Sequence, residues 1–215
     1  MIRVVLADDH GILREGLKQL LASDGGFEVV GEARDGHEVM QRVRELEFEI
    51  LVLDMSMPGR SGIELIKLVK AEKPRLRVLV LSMHEEHQYA VRAIRAGASG
   101  YLTKEAASSR LVAAMKKVAS GGAYISEAVA EQLALGNMPG SKGEPHEALS
   151  DREFQVFRLV AEGKSVADIA ERLTLSVKTV STHKSNILQK MGLATTGELI
   201  RYALAHRLVE GDEAG

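Results

Sequence analysis

The chain has no cysteine and no tryptophan, and holds only four prolines, four phenylalanines and four tyrosines in 215 residues. Without cysteine there is no disulfide framework, thiol nucleophile or cysteine-ligated zinc, and a reducing, cytoplasmic setting is expected. No apolar run approaches the roughly 20 residues a bilayer span requires. Met1-Ile2-Arg3 leads into a strand pattern and not a signal peptide, so no membrane partner is expected. The phosphate-binding turn G-x-G-x-x-G is missing too. Asp8-Asp9-His10-Gly11 stands in its place, which argues against a dinucleotide enzyme. Nor does one sign of charge dominate: the formal net charge is −2. Residues 1–149 hold 19 Lys+Arg against 21 Asp+Glu, and residues 150–210 hold 9 against 7, a weak hint that the second part meets nucleic acid.

What is present is ordinary globular composition, 45% hydrophobic and 27% charged, enough for one large or two small cores. Apolar strands are expected at Arg3–Ala7, Phe27–Glu32, Ile50–Asp54, Arg77–Leu81 and Ser99–Thr103. Helical patterns alternate with them. The first places Ile12, Leu13, Leu17, Leu20 and Leu21 on one face, and others open at the capping boxes Asp35/Glu38 and Ser61/Glu64. Alternation of this kind, with several strands apolar throughout, predicts an α/β doubly wound five-stranded parallel sheet over residues 1–120. Residues 121–147, with Gly136 through Pro145 of turn composition, read as a linker. Residues 148–211 then read as a small all-α domain of four capped helices, the second and third joined by a tight turn as in a helix-turn-helix.

Ligands of such sheets bind beyond the carboxyl ends of the strands, and the polar residues gather there. Asp8 and Asp9 follow the first strand, Asp54 ends the third, Ser82 the fourth and Lys104 the fifth. Asp54 alone could cap a turn, but three neighbouring carboxylates call for a cation. An oxygen-only set favours Mg²⁺, with Asp9, Asp54 and the Ser56 carbonyl as ligands and Asp8 bound through water. An Asp facing both metal and solvent can attack phosphorus to give an acyl phosphate, with Lys104 and Ser82 meeting the phosphoryl oxygens. On the helix from Ser176 to Met191, Lys178, Ser181, Thr182, Ser185 and Gln189 share one side, while Val177, Val180, Ile187, Leu188 and Met191 supply packing. Lys178, Lys184 and Lys190 suit phosphates; His183 is either packed or a DNA contact.

Residues 1 to about 120 resemble the receiver domain of two-component response regulators through Asp8-Asp9, Asp54 with Met57-Pro58-Gly59, Ser82, Tyr101 and Lys104. From Leu149 onward the chain resembles the LuxR-type helix-turn-helix through Leu149-Ser150-x-Arg152-Glu153, Gly163-Lys164-Ser165-x-x-x-Ile169-Ala170 and Val177-Lys178-Thr179-Val180-x-x-His183. Together they look like the NarL/FixJ family. The one departure is Glu105, where many receivers have proline after the lysine.

The resemblance implies a flavodoxin-like receiver that takes a phosphoryl group on Asp54 from a sensor histidine kinase, drawing Ser82 inward and turning Tyr101. It also implies a homodimer that binds promoter duplex DNA through Lys178, Thr179, Ser181, Thr182, His183, Lys184, Ser185 and Lys190, with RNA polymerase as a further contact. Leu199, Ile200, Ala203 and Leu204 on the fourth helix are then either dimer surface or core. Ser56 and His84, flanking the rim, are expected to tune slow loss of the phosphoryl group. A dehalogenase-type phosphohydrolase would need a second Asp at position 56, where this chain has Ser, so turnover as an enzyme is not expected. The remaining rival is a receiver whose second domain docks protein or RNA.

Overall fold

The computed structural model describes residues 1–57, 62–83, 87–135, 144–206 and 208–209. The Met57-Pro58-Gly59 turn beyond Met57, the Ser61 capping box and His84 lie outside the described residues. The chain forms two compact units, Met1–Leu133 and Ala134–Gly215.

The first unit runs β1 (Ile2–Ala7), α1 (Gly11–Asp24), β2 (Phe27–Ala33), α2 (Gly36–Glu45), β3 (Ile50–Asp54), α3 (Gly62–Glu72), β4 (Arg77–Ser82), α4 (His87–Arg95), β5 (Gly100–Thr103) and α5 (Lys104–Ala119). All strand pairs are parallel, in the order β2-β1-β3-β4-β5. Successive strand side chains point to opposite faces, and this alternation divides the core in two. Val5, Ala7, Leu51, Leu53, Val78 and Val80 belong to one apolar layer, while Val4, Leu6, Ile50, Val52, Leu79 and Leu81 belong to the other. Helices cover both, which explains strands that are apolar at every position.

Helix ends follow local chemistry. Asp35 accepts from the backbone of His37 and Glu38 at 2.8 and 2.9 Å, and Gly25 closes α1 at φ 72°. The expected face of α1 needs one correction: Leu17 and Leu21 are buried and Leu13 and Leu20 half-buried, but Ile12 is 93% exposed. At 100° per residue Ile12 falls about 140° from Leu17, off the stripe.

Residues beyond 120 also join this unit. The Tyr124 backbone bridges Gly100 at the β5 edge, and α6 (Glu127–Leu135) packs its buried Val129 into the layer that holds Tyr101 and Ala90.

In the second unit a 3₁₀ turn (Pro145–Ala148) precedes α7 (Asp151–Ala161), α8 (Val166–Leu173), α9 (Val177–Met191) and α10 (Thr196–Ala205). Full capping boxes start α7 (Ser150/Glu153) and α8 (Ser165/Asp168), and Ser176 and Thr195 cap α9 and α10. Phe154, Phe157, Ile169, Val180, Ile187, Leu199 and Ala203 are fully buried. Of the fourth-helix residues, Leu199 and Ala203 are therefore core, whereas Leu204 is exposed. Val177, expected to pack, is 55% exposed, because the first position of α9 projects beyond the helices that cover Val180. No described helix is long and apolar enough to cross a membrane.

Candidate phosphoacceptor site and helix-turn-helix surface

The strand order reverses direction between β1 and β3, and Asp8 and Asp54 lie at that switch point. Both are almost wholly buried, as are Ser82 and Lys104. Lys104, at the start of α5, places Nζ 2.8 Å from Oδ2 of both Asp8 and Asp54. Only the Asp54 contact has hydrogen-bond geometry; Asp8 Oδ2 has no hydrogen-bond partner. The Ser56 amide donates to Asp54 Oδ1 at 2.9 Å and the His10 amide to Asp8 Oδ1 at 2.8 Å. One donor atom from each of Asp8, Asp9, His10 and Asp54 lies within 4.8 Å of the others, a set able to hold a metal ion.

Burial pushes the Asp54 carboxyl above its ordinary range, opposed by the Lys104 and Ser56 hydrogen bonds and reinforced by Asp8. For Lys104 burial acts downward, but the bonds to Asp54 and Asp8 outweigh it and keep the ammonium charged. Three carboxylates against one ammonium leave the rim with too little positive charge, the condition a bound cation relieves.

Ser82 ends β4 in register with Thr103, so it stands on the strand beside Asp54. Tyr101 pairs with Val80 and is buried, instead of lying half-open on an edge. The backbone has no cis peptide bond among the described residues, and Glu105 continues α5 behind the Thr103 cap. Two site residues escaped the sequence reading. Arg14 is buried, donating to the Asp8 carbonyl at 2.7 Å and to Glu32 at 2.6 Å, and so fixes the turn that carries the acidic pair. His10 places Nδ1 2.8 Å from Asp9 Oδ1. Arg14 left a signal, a charge set on the buried side of an apolar helix; for His10 only adjacency to Asp9 hinted.

In the second unit the α8–α9 turn is braced from α7. Arg152 donates to the Leu173 carbonyl at 2.9 Å, and the Leu175 amide to the Ala170 carbonyl at 2.8 Å. Thr174 takes the left-handed conformation at φ 54°, which non-glycine residues adopt only at a penalty. Lys178, Ser181, Thr182, Ser185 and Gln189 form an exposed side of α9; Thr179, His183 and Lys184 are half-buried. Lys190 has a different use from the others: it pairs with the buried Glu153 at 2.7 Å. Burial would raise the Glu153 pKa, but Lys190 and the Ser150 hydrogen bonds outweigh it and hold the carboxyl below its usual range.

A buried Asp pair bridged by a lysine at the switch point of a doubly wound sheet, followed by a braced helix-turn-helix, defines a phosphoacceptor module joined to a DNA-reading one. Residues 4–116 match the response regulator receiver domain family, and residues 147–203 match the bacterial regulatory proteins of the luxR family. The chain is 36% identical over 210 residues to the response regulator GacA of Pseudomonas protegens, covering 98% of this chain and 99% of that protein. It is 34% identical over 213 residues to the response regulator UvrY of Escherichia coli, covering 99% and 98%.

Among solved structures, the RcsB response regulator of Salmonella typhimurium superposes with a TM-score of 0.71 at 30% identity, covering 95% of this chain and 97% of that one. RcsB bound to promoter rprA in the presence of the phosphomimetic BeF3- gives 0.67 at 30% identity, covering 95% and 100%. The chain belongs to the NarL/FixJ family of response regulators and is a phosphorylation-dependent, DNA-binding regulator of transcription.

Proposed function

We propose that Asp54 is the phosphoacceptor and that a sensor histidine kinase is the donor. The observation that carries this reading is the Lys104 ammonium held 2.8 Å from both Asp8 and Asp54 within a buried rim. An Asp54 oxygen attacks the phosphorus of a phosphohistidine, the P–N bond breaks, and the imidazole leaves with a proton. Lys104 then meets the oxygens of the acyl phosphate, and Ser82 donates its hydroxyl hydrogen to one of them. The oxygen donors of Asp8, Asp9, Asp54 and the Ser56 carbonyl fit Mg²⁺, which neutralises phosphoryl charge when bound. Position 56 lacks the carboxylate a hydrolase needs, so the chain stores the group and is not an enzyme; Ser56 and His84 set how slowly it is lost.

The phosphorylated form acts as a homodimer on promoter duplex DNA in the cytoplasm, with RNA polymerase as its further partner. Lys178 and Lys184 take backbone phosphates, and Thr179, Ser181, Thr182, His183 and Ser185 face the groove. Promoter-bound RcsB in the presence of BeF3- supports this.

Incubation of the full chain with a small phosphoramidate donor and Mg²⁺, followed by intact mass measurement and binding to genomic duplex fragments, tests the reading. The expected result is one phosphoryl adduct and tighter binding, both absent in Asp54→Asn. An adduct retained in Asp54→Asn, or binding indifferent to it, overturns the proposal.

A further inference from the structure

We propose that His10 Nδ1 is a ligand in the acidic rim, so that the site discriminates for borderline transition ions such as Co²⁺, Ni²⁺ and Mn²⁺ over Mg²⁺. This rests on the reading of the Asp54 rim as a metal site and adds the residue that sets which metal it prefers.

His10 stands at the entry to α1, where its amide donates to Asp8 Oδ1 at 2.8 Å and its side chain makes no cap bond to the helix. The ring turns back over the rim instead. Nδ1 lies 2.8 Å from Asp9 Oδ1 and 3.2 Å from Asp8 Oδ1. In an octahedral site with bonds of about 2.1 Å, neighbouring ligands are about 3 Å apart, so the nitrogen stands at ligand spacing from two carboxylates. Asp54 completes the group, all four donor atoms being within 4.8 Å of one another.

A second observation points the same way. Asp8 Oδ2 is buried and has no hydrogen-bond partner, although Lys104 lies 2.8 Å from it. A buried carboxylate oxygen in that state is an acceptor waiting for a cation. The His10 side chain is 65% exposed, so the ring can swing aside to admit an ion and close on it.

The chemistry of the donor decides the preference. Mg²⁺ gains little from an imidazole nitrogen and keeps its waters. Divalent transition ions gain progressively from Mn²⁺ through Co²⁺ to Ni²⁺. Oxygen donors alone would give a flatter series.

The test uses the full chain and the metals themselves. Mn²⁺ bound to the native protein is expected to show ¹⁴N coupling of a coordinated imidazole in pulsed electron paramagnetic resonance, lost in His10→Phe. By calorimetry, His10→Phe is expected to weaken Co²⁺ about tenfold or more while Mg²⁺ changes by less than about twofold. The exposed ring makes this substitution compatible with folding, and Asp54→Asn verifies that the ion sits in the rim. Mn²⁺ that binds in an Asp54-dependent way without nitrogen coupling overturns the inference and leaves the metal site standing. So does equal weakening of Co²⁺ and Mg²⁺, which would make His10 only a support for Asp8. Mn²⁺ binding that ignores Asp54→Asn overturns the metal reading, and the inference with it.

Discussion

The Tyr101 amide donates to the Tyr124 carbonyl at 2.8 Å, and the Tyr124 amide returns a bond to the Ser99 carbonyl at 3.1 Å. The segment after α5 thus pairs with the β5 edge beside the residue expected to move on phosphorylation. Gly100 permits the approach: a Cβ there would stand 2.9 Å from Leu79 Cδ1 and 3.0 Å from the Tyr124 carbonyl oxygen. The leucine methyl can yield, but the carbonyl can do so only by shifting the strap. Gly100→Ala is therefore expected to destabilise this unit by about 1–3 kcal/mol. Hydrogen exchange should show the Tyr101 and Tyr124 amides losing protection before those of β1 and β3. Unchanged protection would mean the strap is not held by this contact.

Burial raises the Asp54 pKa above its ordinary 3.8. The folded state then binds this proton more tightly than the unfolded chain does. The stability it contributes is present below 3.8 and is lost as pH rises through the raised folded value. Asp54→Asn removes the ionising group, so the variant should be more stable than the native chain at neutral pH. The gap should open as pH climbs through that window and then level off. Mg²⁺ at about 100 times its Kd should restore about 2.7 kcal/mol to the native protein and little to Asp54→Asn. Exchange of the β1 and β3 amides against pH and Mg²⁺ reads both effects in this unit alone.

Much of this was legible in the sequence because it follows from period and position. Strands apolar at every residue meant a sheet covered on both faces, and polar residues at their carboxyl ends had to share a rim. Periodicity was coarser at helix starts, where Ile12 and Val177 fit an apolar pattern yet face solvent. Contacts set by folding were not legible. Nothing in the linker composition indicates that Tyr124 pairs with β5, and the basic spacing of α9 does not distinguish Lys190, which meets a carboxylate 37 residues earlier, from Lys178.

Hydroxyl groups on α9 have their hydrogens committed. Thr182 Oγ1 donates to the Lys178 carbonyl at 3.0 Å and Ser185 Oγ to the Ser181 carbonyl at 3.1 Å. What they present outward is lone pairs, which accept from the amino groups of adenine or cytosine in the major groove. Thr182→Val keeps the shape and removes the acceptor. It is expected to cost about 1–3 kcal/mol at one base position and to relax preference there, while affinity for unrelated duplex stays unchanged. A selection from randomised duplexes checks this, and an unaltered preference at every position would contradict it.

Lys178 and Lys190 give the last prediction, because they share one helix and a charge but differ in environment. Lys178 is exposed, whereas Lys190 is tied at 2.7 Å to Glu153, which also caps α7 through Ser150. Removing Lys178 should weaken all duplexes alike and reduce the slope of log affinity against log salt by about 1. Removing Lys190 should leave that slope nearly unchanged, since its charge is already matched within the protein. Its loss should appear as stability, about 1 kcal/mol, because Lys190 is itself half-exposed and screened. The sign with pH is fixed by Glu153, whose folded pKa is held below 4.5. The stabilisation is present above 4.5 and fades as pH falls through the lower folded value. Lys190→Met should therefore be weakest relative to the native chain near neutrality and converge with it in acid. Should Lys190→Met instead flatten the salt slope as Lys178→Ala does, the lysine leaves Glu153 for a phosphate on binding.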